Sequence, residues 1–579
     1  MNDFTVKKHA ADVLIIGGGI AGLAAAIRAR EHGAEVIVLE KSHAERSGNA
    51  GSGIDHIQSY VPGIHEKVGY HPEDMIEEDY GWGGNPGLKR KDLIELFVRN
   101  SGQDVIELAS YGLKFHFEDG LFLFPGGLRL IAQFHYLPTS YHFEGRDIKR
   151  ALTNRALELG ANIINRSHVR QLLKNGEAVT GAVALGVREA VITVVNAKTT
   201  ILATSGRASR LTASVTGSDS FEWYSAPSAA NGSGKTLAAR AGAEVVNLEF
   251  SSLASSYNLL NYSFSVGLPS GSWWPAGRVI DEDGNVIVER NQGVAFDDPD
   301  YRDKYRQRVE HYSEQRNRIA PLLEQGKTLY FDLAEATDEE LNYIWWCLGH
   351  EGKTGVLKHH LEKRGVDLRK AKFPLRPGPR REAVPSGVWV RDATTETSVA
   401  NLYATGNELI LGGGGTALVT GYATGIAAAE RAKQLGAPAD VSAPFVAALR
   451  REAESILGQK DGDGWQNGER ALQTLLDNYL GKPYNDRVLT QLAQLVARLR
   501  GDLRLGAGNL HELNRALEVL DLYDLAELVV AAARERKSSL GPFIRTDEDR
   551  YPREKDGVSV GVYRQDGEIR TTRLDNGCP

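Results

Sequence analysis

The stretch from Ala11 to Ser42, ADVLIIGGGIAGLAAAIRAREHGAEVIVLEKS, constrains this chain more than any other. Val13-Leu14-Ile15-Ile16 is a short apolar run of the kind that forms a buried parallel strand. It ends in Gly17-Gly18-Gly19-Ile20-Ala21-Gly22, after which the apolar spacing becomes helical. A second apolar run, Val36 to Leu39, stops at Glu40. Each part of this strand–turn–helix–strand unit suits a dinucleotide. Gly17 permits the tight turn, Gly19 lets backbone approach a pyrophosphate, and Gly22 lets the helix lie close to the sheet. The helix N-terminus presents unpaired N–H groups and a partial positive charge to phosphates. Glu40 follows where a carboxylate can take ribose hydroxyls.

At 579 residues the chain is too long for one core. The net charge of −7 offers no electrostatic case for nucleic acid or anionic membrane. No run approaches the ~18 uninterrupted apolar residues of a membrane span. The first eleven residues hold no apolar signal core, so a cytoplasmic protein is expected. Cys347 and Cys578 are the only cysteines. They are too few for an iron–sulfur cluster or a cysteine-rich zinc site within the chain, and no metal site is expected.

Further along, helices are expected over Lys91–Tyr111, His142–Ile164 and Thr416–Ala432, with strands at Ala178–Leu185, Ala190–Val195 and Ala197–Gly206. Ala203-Thr204-Ser205-Gly206 and Ala404-Thr405-Gly406 are matching strand ends that flank a long insertion. The insertion is expected to be helical over Pro299–Gln325 and from Asp338 onward. From Pro444 the apolar spacing is helical over Val446–Leu457, Trp465–Tyr479, Arg487–Leu503 and Leu510–Arg536. A hairpin with Asp566-Gly567 as its turn is expected at Val558–Leu574. The fold class is therefore α/β: a Rossmann-like dinucleotide domain (1–250 and 380–440), an inserted cap (251–379) and a helical C-terminal domain (441–579).

Five segments in order resemble the flavoprotein family of succinate dehydrogenase, fumarate reductase and the adenylylsulfate reductase alpha subunit. They are the fingerprint ending in Glu40-Lys41; Glu45-Arg46-Ser47-Gly48; Gly232-Ser233-Gly234 with Asn247-Leu248-Glu249-Phe250; Ser386–Val390 running into Asn401–Gly406; and Arg536–Phe543 with Arg545-Thr546-Asp547. The second segment looks most like the adenylylsulfate reductase branch. The resemblance implies FAD, held by Gly17, Gly19, Ile20, Ala21, Gly22, Glu40 and Lys41 at its adenosine and pyrophosphate end. Ser47, Gly48, Gly51, Ser52 and Gly53 would lie along the ribityl chain and ring. Gly206, Gly406 and Asn407 would complete the site, with Leu418 and Val419 at the pyrimidine end. Where the complex II branch carries a flavin-linked histidine, this chain has Arg46 or Ser47, which implies non-covalent FAD.

The substrate residues of those relatives do not carry over. Fumarate reductases place a histidine shortly before the segment matching Ser386-Gly387, and this chain has Arg380 to Pro385 there. Arg380, Arg381 and Glu382 suit anion binding and proton transfer, or form a solvated charged linker. Arg278 with Trp273 and Trp274 reads as a cationic aromatic wall or as cap packing. His142, near Tyr136, Tyr141 and Arg146, is a candidate proton donor or a structural histidine. Gln58 matches a substrate-contacting position of the adenylylsulfate branch. His359-His360 reads as a solvated helix face. Asn231–Thr236 mimics a Walker phosphate loop, but Ala229 stands where that pattern needs glycine.

The expected function is an FAD-dependent oxidoreductase moving hydride between a small organic substrate and flavin N5. The alternatives are a flavoprotein subunit passing electrons to an iron–sulfur partner, and a flavin-binding assembly subunit without catalysis.

Overall fold

The computed structural model describes residues 4–577, except 55, 64, 82–86, 115–116, 119–120, 123–139, 206–208, 213–228, 252, 260–275, 291–297, 301–302, 305–306, 308–313, 315–316, 351, 383–385, 460, 542 and 553–556. Its central sheet runs in the order Asn162–Asn165, Val36–Glu40, Thr5–Ile16, Val191–Leu202, Ala178–Gly186, Ser167–Asn175. Leu402–Ala404 joins the end of Val191–Leu202 in parallel. The first four strands are parallel, and the last two return antiparallel.

The apolar run Val13–Ile16 shows why a parallel strand reads as continuous hydrophobicity. Val13 and Ile15 enter the core on one face, and Leu14 and Ile16 the core on the other. The two strands expected at Ala190–Val195 and Ala197–Gly206 are one strand, Val191–Leu202, paired with Thr5–Ile16 along its length.

Helix Ile20–Glu31 lies on this sheet, crossed by helix Gly414–Lys433. The crossing is close because it is built of small residues. A Cβ on Gly421 would lie 2.5 Å from the Ala21 carbonyl, and one on Gly425 would lie 2.3 Å from that of Ala25.

The helix expected over His142–Ile164 is shorter. Ser140–His142 is a strand paired with His56–Gln58, the helix is Ile148–Glu158, and Asn162–Asn165 is the sheet's edge strand. Gly160, with φ +88°, stops the helix, and pairing with Val36–Glu40 outweighs the helical apolar spacing beyond it.

The insertion carries its own five-stranded sheet, ordered Leu253–Leu259, Lys372–Glu382, Leu329–Asp332, Arg278–Asp281, Val286–Val288. It also has its own core, including Val279, Phe331, Leu348 and Leu361. The boundary expected at 379/380 falls inside the strand Lys372–Glu382, so Arg380, Arg381 and Glu382 lie on the cap sheet. Of the expected Pro299–Gln325 helix, Ile319–Glu324 is helical and much of the rest lies outside the described residues.

The C-terminal part is four helices, Ala443–Gly458, Trp465–Tyr479, Asp486–Asp502 and Leu510–Glu535. Asn485 and Asn509 cap the last two, accepting from the backbone N–H of Val488 and Glu512. The terminal hairpin forms as expected, Val558–Gln565 with Glu568–Asp575, and Asp566 and Gly567 both take positive φ. Val558–Gln565 also pairs with Val245–Val246 of the dinucleotide domain, while Arg564 bonds to Glu527 of the long helix at 2.6 Å, so the hairpin joins the two.

Candidate cofactor site

Where strand Thr5–Ile16 meets helix Ile20–Glu31, the glycines do three different jobs. Gly17 takes φ +105°, and a Cβ there would lie 2.5 Å from the Ala203 carbonyl. A Cβ on Gly22 would lie 1.9 Å from the Gly17 carbonyl, so only glycine lets the helix start this close to the turn. Gly19 has open space where its Cβ would be, and it forms the floor of a cavity.

That cavity, of about 410 Å³, brings together residues far apart in sequence. Gly17, Gly19, Ile20 and Ala21 line it from the turn, and Glu40 and Lys41 from the second strand. Ser47 and Gly48 line it from the following loop, and Asn407 from the far side. Glu40 is buried, and its two oxygens accept from the backbone N–H of Gly18 and Ser42, each at 2.6 Å. The carboxylate is thereby fixed against the turn. Ser47 Oγ donates to the Gly18 carbonyl at 3.3 Å.

Other expected residues shape the walls from behind. A Cβ on Gly51 would lie 2.2 Å from the Arg46 carbonyl. Gly53, at φ +90°, packs onto the Arg146 backbone. Ser52 sits half-buried between them. Gly406, at φ +62°, lets its strand end approach Ala21. Ala417 lines the cavity at the start of helix Gly414–Lys433, whereas the Leu418 and Val419 side chains belong to the core. Gly206 lies outside the described residues, and so do Tyr136, Trp273 and Trp274.

Burial separates the neighbours Asn407 and Glu408. Asn407 faces the cavity, while Glu408 is turned inward and accepts from the Thr204 hydroxyl. Among the described residues, three cavity-lining side-chain oxygens have no hydrogen-bond partner: Asn49 Oδ1, Ser205 Oγ and Asn407 Oδ1. Buried polar atoms of this kind are normally satisfied, and a dinucleotide's hydroxyl and ring N–H groups would satisfy them. The glycine cradle, the helix N-terminus and these oxygens all fit FAD.

Sequence reasoning missed Asn49, Ser205 and the strand segment Ser167–Val169, all of which line the cavity. Ser205 carries one local signal, a φ of +78° just after a strand, but φ is not legible in sequence. His168 is neutral, since burial and the neighbouring Arg170 push its imidazole down to about 3. Lys41 pairs with Glu518 of the long C-terminal helix at 2.9 Å, which ties the cavity wall to the helical domain.

The catalytic candidates lie on the cap sheet and on the strand before helix Ile148–Glu158. Arg381 and Glu382 stand opposite Ala254 and Leu253 on the cap sheet, with Arg380 beside them. Arg278 pairs with Asp332 at 2.9 Å and with Glu335 at 2.5 Å, so its guanidinium is engaged within the cap. His142 ends the strand facing His56, and Arg146 is exposed. Gln58 Nε2 donates to Asp79 at 3.4 Å, and burial raises the Asp79 carboxyl. His359 and His360 lie on helix Gly352–Lys363. Among the described residues, no group of His, Cys, Asp and Glu is arranged to hold a metal ion. No helix among them is long and apolar enough to cross a membrane.

A family model described as an FAD binding domain matches residues 12–311, more than half of the chain. The chain belongs to this FAD-binding family. FAD is therefore its cofactor, and the likeness to succinate dehydrogenase and fumarate reductase flavoproteins is borne out. L-aspartate oxidase of Mycobacterium leprae is 30% identical over 42% of this chain and 43% of its own length. The succinate dehydrogenase flavoprotein subunit of Oryza sativa is 27% identical over 51% of this chain and 45% of its own length. The matched part is thus under half the length of these relatives. L-aspartate oxidase 2 of Ralstonia nicotianae matches at 24% over 93% of this chain and 91% of its own. Among solved structures, adenylylsulfate reductase from Archaeoglobus fulgidus shares the fold with a TM-score of 0.76 at 21% identity. That match covers 99% of this chain and 97% of the other.

Glu40→Ala should weaken FAD binding by about ten- to a hundredfold, because charged hydrogen bonds contribute about 1.5–3 kcal/mol and two buried N–H groups lose their acceptor. Fluorescence titration of apoprotein with FAD measures it. An unchanged affinity would detach Glu40 from the cofactor.

Proposed function

We propose that the chain is an FAD-dependent oxidoreductase acting on a small organic substrate, with the flavin held non-covalently in the cavity described above. The observation that supports this most is a family-type cofactor cradle joined to a cap whose last strand runs back into the FAD domain. FAD supplies the redox chemistry, taking or giving hydride at N5. The chain's own residues hold, orient and exclude water. The turn Gly17–Gly22 offers backbone N–H groups to the pyrophosphate, Glu40 takes the ribose, and Asn407 and Asn49 offer acceptors farther along.

The position of Arg380, Arg381 and Glu382 at the end of strand Lys372–Glu382, shortly before Gly387–Val388, supports a role for them at the substrate. In this reading the arginines meet an anionic end of the substrate, and Glu382 takes the proton as hydride leaves the substrate carbon. Rapid mixing of the FAD-loaded protein, without oxygen, against small organic acids, amino acids and alcohols tests the reading. Bleaching of the flavin by one class, slowed at least about tenfold in Arg381→Ala, is the expected result. A flavin that none of them reduces, and that its reduced form passes to none of their oxidised partners, would sink it.

A second reading has one specific support. A succinate dehydrogenase flavoprotein subunit from Rickettsia felis matches 96% of this chain at 23% identity. As such a subunit, the chain would pass electrons to an iron–sulfur partner, because Cys347 and Cys578 are its only thiols. Purification from the native host decides between the two: a cysteine-rich protein held in stoichiometric amount favours the subunit. A cytoplasmic location belongs to either reading.

A further inference from the structure

Under the dinucleotide turn lies a cation that neither the fingerprint nor the proposed reaction uses. Lys149, near the start of helix Ile148–Glu158, is 2% exposed, and its Nζ donates to the Gly18 carbonyl. That carbonyl also accepts from Ser47 Oγ at 3.3 Å, while the Gly18 N–H donates to Glu40 at 2.6 Å. One residue in the middle of the turn is therefore gripped, through the two peptides that flank it, by side chains from three separate segments. Such a grip fixes where the neighbouring Gly19 backbone lies.

An ammonium is costly to bury unless an anion answers it. Glu40, on the second strand, attracts the Lys149 charge, but both Glu40 oxygens already accept backbone N–H groups. The other charged groups nearby are engaged or exposed. Arg150 and Asp147 on its own helix pair with each other at 3.3 Å. Arg28 and Arg30 of helix Ile20–Glu31 bond to Glu107 and to the Leu159 and Ala34 carbonyls. His43 and Arg46 in the following loop are exposed. Burial accordingly pushes the Lys149 ammonium down to about 7, with Glu40 opposing it.

We propose that Lys149 is a positioning residue for FAD, its ammonium holding the turn and meeting its counter-charge when the pyrophosphate is bound there. The inference rests on the FAD assignment. Its sign follows from linkage. Phosphate anions near the ammonium raise its proton affinity in the complex, so FAD binds more tightly to the protonated form. Affinity is full below the free protein's value of about 7 and falls as pH rises through it. Stability of the apoprotein moves the other way. Between about 7 and the ordinary lysine value the unfolded chain holds the extra proton, so apoprotein stability rises with pH there.

Apoprotein titrated with FAD at about pH 6 and about pH 8.5, read by flavin fluorescence, tests this. The wild type should bind about tenfold more weakly at the higher pH. Lys149→Met, which places an apolar chain of similar length in the same space, should bind about tenfold more weakly at pH 6 and show no pH dependence. Lys149→Arg keeps its charge throughout and should hold its affinity flat across the range. A wild-type affinity independent of pH, or a Lys149→Met affinity equal to wild type at pH 6, overturns the proposal. If Lys149→Met does not fold, the Lys149→Arg profile decides alone, and a profile that falls like wild type rejects it. A wild-type protein that takes up no FAD at any pH would remove the cofactor assignment itself.

Discussion

Arg210→Met should lower the stability of this protein by about 3–5 kcal/mol, the usual loss when one member of a buried ionic group is removed. Arg210 is 2% exposed and lies where the dinucleotide domain meets the long helix Leu510–Glu535. Its Nε donates to Glu469 at 2.8 Å, and its two remaining nitrogens bond to Glu469 and Glu518. Burial works against the charged form, but those carboxylates outweigh it and raise the arginine's proton affinity above its ordinary value.

Without the guanidinium, Glu518 keeps Lys41 at 2.9 Å and Arg515 at 2.8 Å, but among the described residues Glu469 keeps Gln473 at 3.2 Å and no cation. A nearly unpaired buried carboxylate is the source of the loss. Urea unfolding followed by circular dichroism measures it, and a midpoint shift worth under about 0.5 kcal/mol would refute the assignment. Adding Glu469→Leu to the Arg210→Met variant should recover much of the loss, since removing both charges leaves nothing uncompensated. Lys41 lines the FAD cavity, so the single variant should also loosen FAD.

The second large effect concerns Gly22. Gly22→Val should give a protein that purifies without flavin colour, with FAD affinity lowered at least about a hundredfold. The reason is steric rather than chemical: even the first added carbon would sit 1.9 Å from the Gly17 carbonyl, and backbone on both sides is fixed. Either the helix start or the turn must move, and in the proposed cradle both would hold the pyrophosphate. Flavin absorbance per mole of protein is the measurement. A yellow Gly22→Val protein would mean that the turn is not the cofactor cradle.

The parts legible in sequence are those whose cause is local. The run Val13–Ile16, the glycines after it and Glu40 specify a strand, a turn and a carboxylate within one short stretch, and the cavity forms around them. Helix Trp465–Tyr479 and the Asp566-Gly567 hairpin were legible for the same reason, as apolar period and turn chemistry are written along the chain. The apolar spacing over His142–Ile164 reads as one helix because it continues past Gly160, while the strand Asn162–Asn165 is decided by its partner Val36–Glu40. Strand Ser167–Asn175 mixes polar and apolar residues, and its place is set by pairing with Ala178–Gly186.

By itself, the sequence determined the cofactor half of this protein: a dinucleotide turn, an acidic strand end, an inserted cap and a helical C-terminal region. These follow from side-chain volume, periodicity and backbone freedom, which act between near neighbours. Only the tertiary structure decided the charges. It set Lys149 under Gly18, Lys41 against Glu518, Arg278 between two cap carboxylates, and Arg380–Glu382 on the cap sheet. An ionic side chain takes its role from what else is buried with it, and those partners lie up to several hundred residues away along the chain.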